Sequence, residues 1–260
     1  MTAVATGVAA RPVVAPLAGA GEHLVVVVAH PDDETFGCGS LIAQAAAAGA
    51  RITVICATRG ELGERRPDPA TDSWPLGLVR EVELRNAAAV LGVTTVDVLD
   101  HRDSGFDGRA PLGALVKVPL EALADELELR LGLLAPDVLL TLDGSDGHRD
   151  HVHVRDALSI LAARLECRPR LVHASLANSL MREWIKAMAA LHPESAYLSI
   201  PLDAIGRADE ELTPIDTSAV LEVRERAIAC HRSQASPFDE LPADLRRRFL
   251  VTDHVVSVTD

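Results

Sequence analysis

The sequence predicts an α/β fold, a Rossmann-like and mostly parallel sheet with helices on both faces. Two features of the pattern carry that expectation. Short β-branched runs recur without polar alternation, as strands covered on both faces require. The early runs are separated by segments whose apolar residues repeat at helical spacing, and parallel strands need such crossovers. Composition agrees: 260 residues with 48% apolar side chains can fill one of the larger single α/β domains.

The first run, residues 24–29 (LVVVVA), ends in the polar loop HPDDE. Residues 39–49 then read as a helix closed by Gly49, and residues 51–57 (RITVICA) as the next strand. Strand, loop, helix and strand in this order make a βαβ unit with a right-handed crossover. A loop rich in Gly, Pro and charge follows, then a helix over 78–91 with Gly92 as its cap and a strand over 96–99. After the polar loop HRDSGFDG, a long amphipathic helix over 115–134 leads to a strand at 137–142. That strand runs into DGSDGHRDH and a helix over 150–165. Beyond Cys167 the pattern weakens to a strand at 171–174, helices at 179–190 and 217–232, and an edge strand at 251–258. The expected organisation is a flexible leader, 1–22, and a single domain, 23–260, with its catalytic core at 24–165 and a C-terminal elaboration at 166–260.

Charge and cysteine usage exclude several function classes. Lys and Arg number 25 against 38 Asp and Glu, a net charge of -13, which argues against nucleic acid or an anionic membrane as partner. No apolar stretch approaches the roughly 18 residues of a membrane span. The N-terminal residues lack a basic start, and Pro12 and Pro16 interrupt any apolar helix, unlike an export signal. The four cysteines are scattered with no C-x-x-C pair, so a reducing cytoplasm fits better than a disulfide framework.

Ionisable residues collect where strands end, which is where open α/β sheets place ligands. The first strand delivers His30, Asp32, Asp33 and Glu34, and the second delivers Arg59, Glu61 and Glu64. The third delivers Asp100, Arg102 and Asp103, and the fourth His148, Asp150 and His151. His30 and Asp33 with one further histidine, His148, His151 or His153, would supply ligands suited to Zn²⁺ or Fe²⁺. Asp32 beside them could take a proton from water, which makes hydrolysis the natural chemistry. The structural alternatives are plain. Asp32, Asp33 and Glu34 could cap the following helix, and Asp150 the later one. His153 could be a packing histidine, Arg80 and Glu83 a solvated helix face, and Arg102 and Asp103 a turn.

AHPDDE (29–34) after an apolar strand, with GHRDH (147–151) after a later one, resembles the LmbE-like or PIG-L family of metal-dependent de-N-acetylases. Its members include deacetylases of mycothiol and bacillithiol synthesis and the N-acetylglucosaminyl-phosphatidylinositol deacetylase. The likeness spans about residues 24–165, with a weaker echo in AIACHRSQ (227–234). The resemblance implies that His30, Asp33 and His151 bind zinc, with Fe²⁺ fitting nearly as well, and that Asp32 is the general base. It implies that His148 stabilises the oxyanion or protonates the departing amine, and that Asp150 orients His148. It makes Glu64, Arg80 and Asp103 substrate contacts. The usual HPDH is HRDH here, with Arg149 in place of proline. A tyrosine that the mycothiol enzymes carry two residues before the histidine is Asp146, and the only tyrosine is Tyr197.

The expected activity is zinc-dependent removal of an N-acetyl or N-acyl group from an N-acetylglucosamine-containing small molecule. The alternatives are an amidase acting on a larger thiol or glycosylated conjugate, and an Fe²⁺ facial-triad oxygenase. A jelly roll usually carries that triad, and the α/β periodicity speaks against it.

Overall fold

A computed structural model of the chain describes residues 15–132, 134–193 and 196–258. Among them, seven strands form one sheet in the order β3-β2-β1-β4-β5-β7-β6. They are β1 (His23–Val28), β2 (Arg51–Thr58), β3 (Thr95–His101), β4 (Val138–Leu142), β5 (Arg170–Ser175), β6 (Thr213–Asp216) and β7 (Thr252–Ser257). The first five run parallel, whereas β7 lies antiparallel to both β5 and β6.

The continuous apolar run of β1 follows from its central place, because both of its faces are covered. Leu24, Val26 and Val28 pack with Leu41 and Ile42 of α2 (Gly39–Ala47) and with Leu84 and Leu91 of α3 (Leu76–Leu91). Val25 and Val27 point the other way, into Leu123 and Leu127 of α4 (Leu120–Leu131) and Leu158 and Leu161 of α5 (Arg149–Arg164). A side-chain period of two therefore feeds two cores from one strand. Gly92 closes α3 at φ 84°, a left-handed cap that glycine adopts without steric cost.

Several expectations need correction. The long helix at 115–134 is broken: residues 115–117 form a 3-10 turn, and α4 begins only after Pro119. A proline disfavours the helical conformation of the residue before it, and Val118 is extended. Residues 251–258 are an inner strand rather than an edge, because β6 pairs outside them. The helix over 217–232 is shorter, a 3-10 turn followed by α7 (Leu221–Ile228). Residues 1–14 of the expected leader lie outside the described residues; within 15–22, Leu17 and Ala18 are buried in the first core and residues 20–22 are exposed.

A third core joins α6 (Asn178–Leu191) to α8 (Ala243–Val251) through Met181, Trp184, Phe238, Leu245 and Phe249. Arg224 of α7 ties this region to the first half of the chain. Its buried guanidinium donates to Ser40 Oγ at 2.8 Å, Asp253 Oδ1 at 2.8 Å, Phe249 O at 3.2 Å and Phe36 O at 2.6 Å. No helix among the described residues is long and apolar enough to cross a membrane.

Candidate active site

Strand order reverses between β1 and β4, and the loops leaving those two strands meet at that point, where an open α/β sheet forms its crevice. The loop after β1 carries His30, Asp32 and Asp33 into the short helix α1 (Asp33–Phe36). The loop after β4 carries Asp146 and His148, and the first turn of α5 adds Asp150 and His151.

Two ring nitrogens converge on the two oxygens of one carboxylate. His30 Nδ1 lies 3.4 Å from Asp33 Oδ2, His151 Nε2 lies 3.2 Å from Asp33 Oδ1, and the two nitrogens are 3.3 Å apart. Ligands at about 2.0–2.1 Å around a tetrahedral zinc ion would be separated by about 3.3 Å. Each imidazole turns its other nitrogen to a carboxylate, His30 Nε2 to Asp150 Oδ2 at 3.1 Å and His151 Nδ1 to Asp146 Oδ2 at 2.6 Å. Such outer partners fix the tautomer that leaves the inner nitrogen free to ligate. Two other close groupings are His30 with His148 and His151, and His30 with Asp103 and Asp150, the second being the carboxylates behind the His30 ring.

The electrostatics make the same demand. Neutral rings would aim two lone pairs at the Asp33 carboxylate, so the cluster needs positive charge at its centre. Burial opposes charge on His30, but hydrogen bonds to Asp103, Asp150 and Asp33 outweigh it and raise its pKa well above the ordinary histidine value. Burial likewise opposes charge on His151, yet Asp146 and Asp33 push it up to about 10. Asp33, raised by burial, is pulled well below the usual carboxylate range by His151 and His30. Protons on the two rings can supply the missing charge, and so can one divalent cation, so the donor set fits a metal.

Asp32 sits at φ 119°, a strained conformation for a residue with a Cβ. It precedes α1, but its side chain makes no capping hydrogen bond, which sets aside the cap reading for Asp32, while Asp33 and Glu34 do lie in the first turn of α1. Its carboxylate instead meets Arg80 at 3.1 Å. Burial raises the Asp32 pKa to about 6, with Arg80 pulling the other way. His148 caps α5, its Nδ1 accepting the Asp150 N–H at 3.2 Å, which leaves Nε2 to carry the proton of the neutral ring. Burial together with charge on His30 and His151 pushes His148 down to about 4.

The remaining expected site residues fall differently. The Asp150 side chain does not reach across to orient His148; it lies behind His30 and also accepts the Ser104 N–H at 3.0 Å. Arg80, expected at the substrate, is 4% exposed and donates to Gly60 O at 2.6 Å and Pro31 O at 2.5 Å. Asp103 is also buried, accepting the N–H groups of Gly105 at 2.7 Å and Leu62 at 3.2 Å, with His30 Nε2 at 3.5 Å. Glu64 is exposed. His153 is directed away from the cluster, to Val118 O at 2.9 Å.

The family model described as PIG-L: GlcNAc-PI de-N-acetylase matches residues 25–162. The chain belongs to this family. The 1D-myo-inositol 2-acetamido-2-deoxy-alpha-D-glucopyranoside deacetylase of Actinosynnema mirum is 33% identical over 238 residues, 84% of this chain and 82% of that one. A deacetylase of the teicoplanin biosynthesis pathway, solved with teicoplanin, matches with a TM-score of 0.59 at 18% identity, over 92% of this chain and 100% of that one. The 4-carboxy-2-hydroxymuconate hydratase GalB of Pseudomonas putida KT2440 matches with a TM-score of 0.56, also at 18% identity, over 92% and 97%. These structures share the fold, and since one is a deacetylase and another a hydratase, the reaction has to be read from side chains.

This PIG-L chain fills its departures from the family pattern in a recognisable way. Arg149 donates to the carbonyls of Gly105 at 2.6 Å, Gly108 at 2.9 Å and Asp107 at 2.8 Å, and also to Ser104 O. It thereby folds the 104–108 loop and sets Phe106 edge-on to His148, ring centroids 5.6 Å apart. Tyr197 packs on Phe106 at 4.9 Å and on Trp184 at 5.6 Å. Burial raises the Tyr197 pKa, and the negative charges of Asp146, Asp33, Asp32 and Glu64 add to the shift. In the sequence Phe106 lies within the HRDSGFDG loop and Tyr197 is the only tyrosine, but no ligand-like spacing marks either ring as part of the site.

Proposed function

We propose that this chain is a metal-dependent N-deacetylase that hydrolyses the acetamide of an N-acetylglucosamine-containing small molecule. The observation that supports it best is the convergence of His30 Nδ1, Asp33 and His151 Nε2, with Asp32 next in the chain and His148 stacked on His151 at 4.7 Å. His30, Asp33 and His151 would hold a divalent cation, zinc by its donor preference, which supplies Lewis acidity at the amide carbonyl and makes nearby water more acidic.

The chain's own side chains divide the rest of the chemistry. Asp32, with a pKa of about 6, is ionised at neutral pH and takes the proton of the attacking water. An amine leaves a tetrahedral carbon only once protonated, and the Asp32 carboxyl returns that proton to nitrogen. His148 stays neutral and offers its Nε2–H to the carbonyl oxygen as negative charge builds there. Asp146 and Asp150 hold the two ligating rings, and Arg80 and Asp103 hold Asp32 and the loop beside His30. Phe106 beside His148, with Tyr197 packed on it, offers an apolar surface suited to the C–H face of a sugar. Glu64, exposed at the rim, is suited to its hydroxyls.

The substrate class comes from the relatives, whose names specify a 2-acetamido-2-deoxyglucosyl inositol. The test incubates the metal-loaded protein with that compound and a panel of N-acetyl sugars and measures primary amine and acetate. Equal release of both supports the proposal. Cleavage confined to larger thiol or glycosylated conjugates would move the substrate and keep the chemistry. A protein that binds metal and cleaves no amide in either set would overturn it.

A further inference from the structure

The segment AIACHRSQ (227–234) follows the catalytic loop by about two hundred positions and takes no part in the chemistry above. Its side chains nevertheless reach the loop after β1 and the helix α3 beside it. His231 Nε2 meets Glu34 Oε1 at 2.8 Å and Thr35 Oγ1 at 3.2 Å. Ser233 donates its N–H at 2.8 Å and its hydroxyl at 2.6 Å to the two oxygens of Glu83 on α3. Gln234 in turn donates to Ser233 Oγ at 2.9 Å.

The contact with Glu34 leads to the reacting centre. Both His231 and Glu34 side chains are fully buried. The second oxygen of Glu34, Oε2, accepts the backbone N–H of Asp32 at 2.9 Å. That peptide is the strained one, at φ 119°. A carboxylate bound at one oxygen by His231 and at the other by the Asp32 N–H cannot turn without losing one of them. Strained backbone persists only where its surroundings over-determine it, and these two bonds contribute to that restraint, beside the Thr35 hydroxyl on Glu34 Oε1 and the Thr35 and Phe36 N–H groups on Asp32 O.

We propose that His231 is a positioning residue for the general base: acting through Glu34, it holds the Asp32 peptide in its left-handed conformation and so fixes where the Asp32 carboxylate points. The inference rests on the reading of Asp32 as the base. A purely space-filling role fits poorly, because His231 Nδ1 is buried with no hydrogen-bond partner. An apolar side chain would fill the same volume beside Phe36, whose ring is 5.6 Å away, without that unsatisfied nitrogen. The ring is kept for what Nε2 does.

The experiment compares His231→Ala, His231→Gln and Asp32→Asn in the full chain, recording kcat, KM, bound metal per chain and the melting temperature. Loss of an outer-shell support costs roughly ten- to a hundredfold. His231→Ala is expected to lose that much in kcat, with KM and metal content unchanged. Glutamine, whose amide N–H can still reach Glu34, is expected to restore most of the activity. If the alanine variant does not fold, His231→Asn, with an amide too short to reach, replaces it in the comparison. Wild-type kcat in His231→Ala, or a glutamine variant as poor as alanine, overturns the inference while an inactive Asp32→Asn leaves the base assignment standing. A fully active Asp32→Asn removes the base assignment itself, and this inference with it.

Discussion

Metal binding to this protein should release protons, and the structure says how many. In the metal-free protein His30 and His151 both carry raised pKa values, His151 at about 10, because the surrounding carboxylates outweigh the opposing effect of burial. At pH 7 both rings are protonated, and the atoms that hold those protons, His30 Nδ1 and His151 Nε2, are the ones that converge on Asp33. A ligating imidazole must be neutral, so metal uptake displaces one proton from each ring. Two displaced protons make the apparent affinity rise about a hundredfold for each pH unit, while pH stays below both pKa values. The assay is titration calorimetry of zinc into metal-free protein at fixed pH, in buffers of different ionisation enthalpy. The slope of heat against buffer enthalpy should give close to two protons released. A slope near zero would mean that the rings are neutral before the metal arrives, and the charge argument for the site would fail. The same protonation has a stability consequence in the metal-free protein. A raised folded-state pKa gives His151 a stabilising contribution that is complete below about pH 6.5 and lost as pH rises through about 10.

Other perturbations follow from particular contacts. With Asp32 held at about 6, kcat/KM should fall as pH drops below about 6 and Asp32 takes up a proton; a flat profile from pH 5 to 8 would exclude it as the base. Arg149→Pro restores the common family residue at the first position of α5, where proline is tolerated, but it releases the 104–108 loop. Faster amide exchange in that loop and a stability loss of about 1–2 kcal/mol are expected with metal content unchanged, and unaltered exchange would refute the clamp. Arg224→Met leaves Asp253 buried without its partner, so urea unfolding should show a loss of about 3–5 kcal/mol, against less than 1 kcal/mol if the pair were incidental.

The parts of the fold legible in the sequence were those whose burial leaves a one-dimensional trace. β1 and β2 are covered on both faces, so each reads as an unbroken apolar run, and the glycine after α3 marks its end. β6 left no such trace, being four residues long and containing Pro214, and its absence from the reading made β7 look like an edge. α8 is an arginine-rich segment whose inward residues, Leu245, Phe249 and Leu250, are too few for a clear period. In the site, the two histidine-aspartate motifs announced themselves by sitting at strand ends. Their wiring did not. Asp150 is adjacent in sequence to the His148 loop, yet the first turn of α5 points its carboxylate inward to His30. Arg80 and Asp103 carry charges that suggest solvent and substrate, but both are buried, Arg80 against the Asp32 carboxylate and the carbonyls of Gly60 and Pro31, and Asp103 against the N–H groups of Gly105 and Leu62. Which ionisable side chain a loop buries depends on contacts from elsewhere in the chain, and local pattern holds no record of them.

The central claim is that water, deprotonated by Asp32 beside the His30, Asp33 and His151 cluster, cleaves an acetamide. The most direct measurement runs the metal-loaded protein and its Asp32→Asn variant on the glucosaminyl-inositol acetamide in ¹⁸O-labelled water, and follows the acetate by mass spectrometry. One solvent oxygen is expected in each acetate formed by the wild type, with release slowed by at least about a hundredfold in the variant at equal metal content. Unlabelled acetate, or a variant as fast as the wild type, would contradict it.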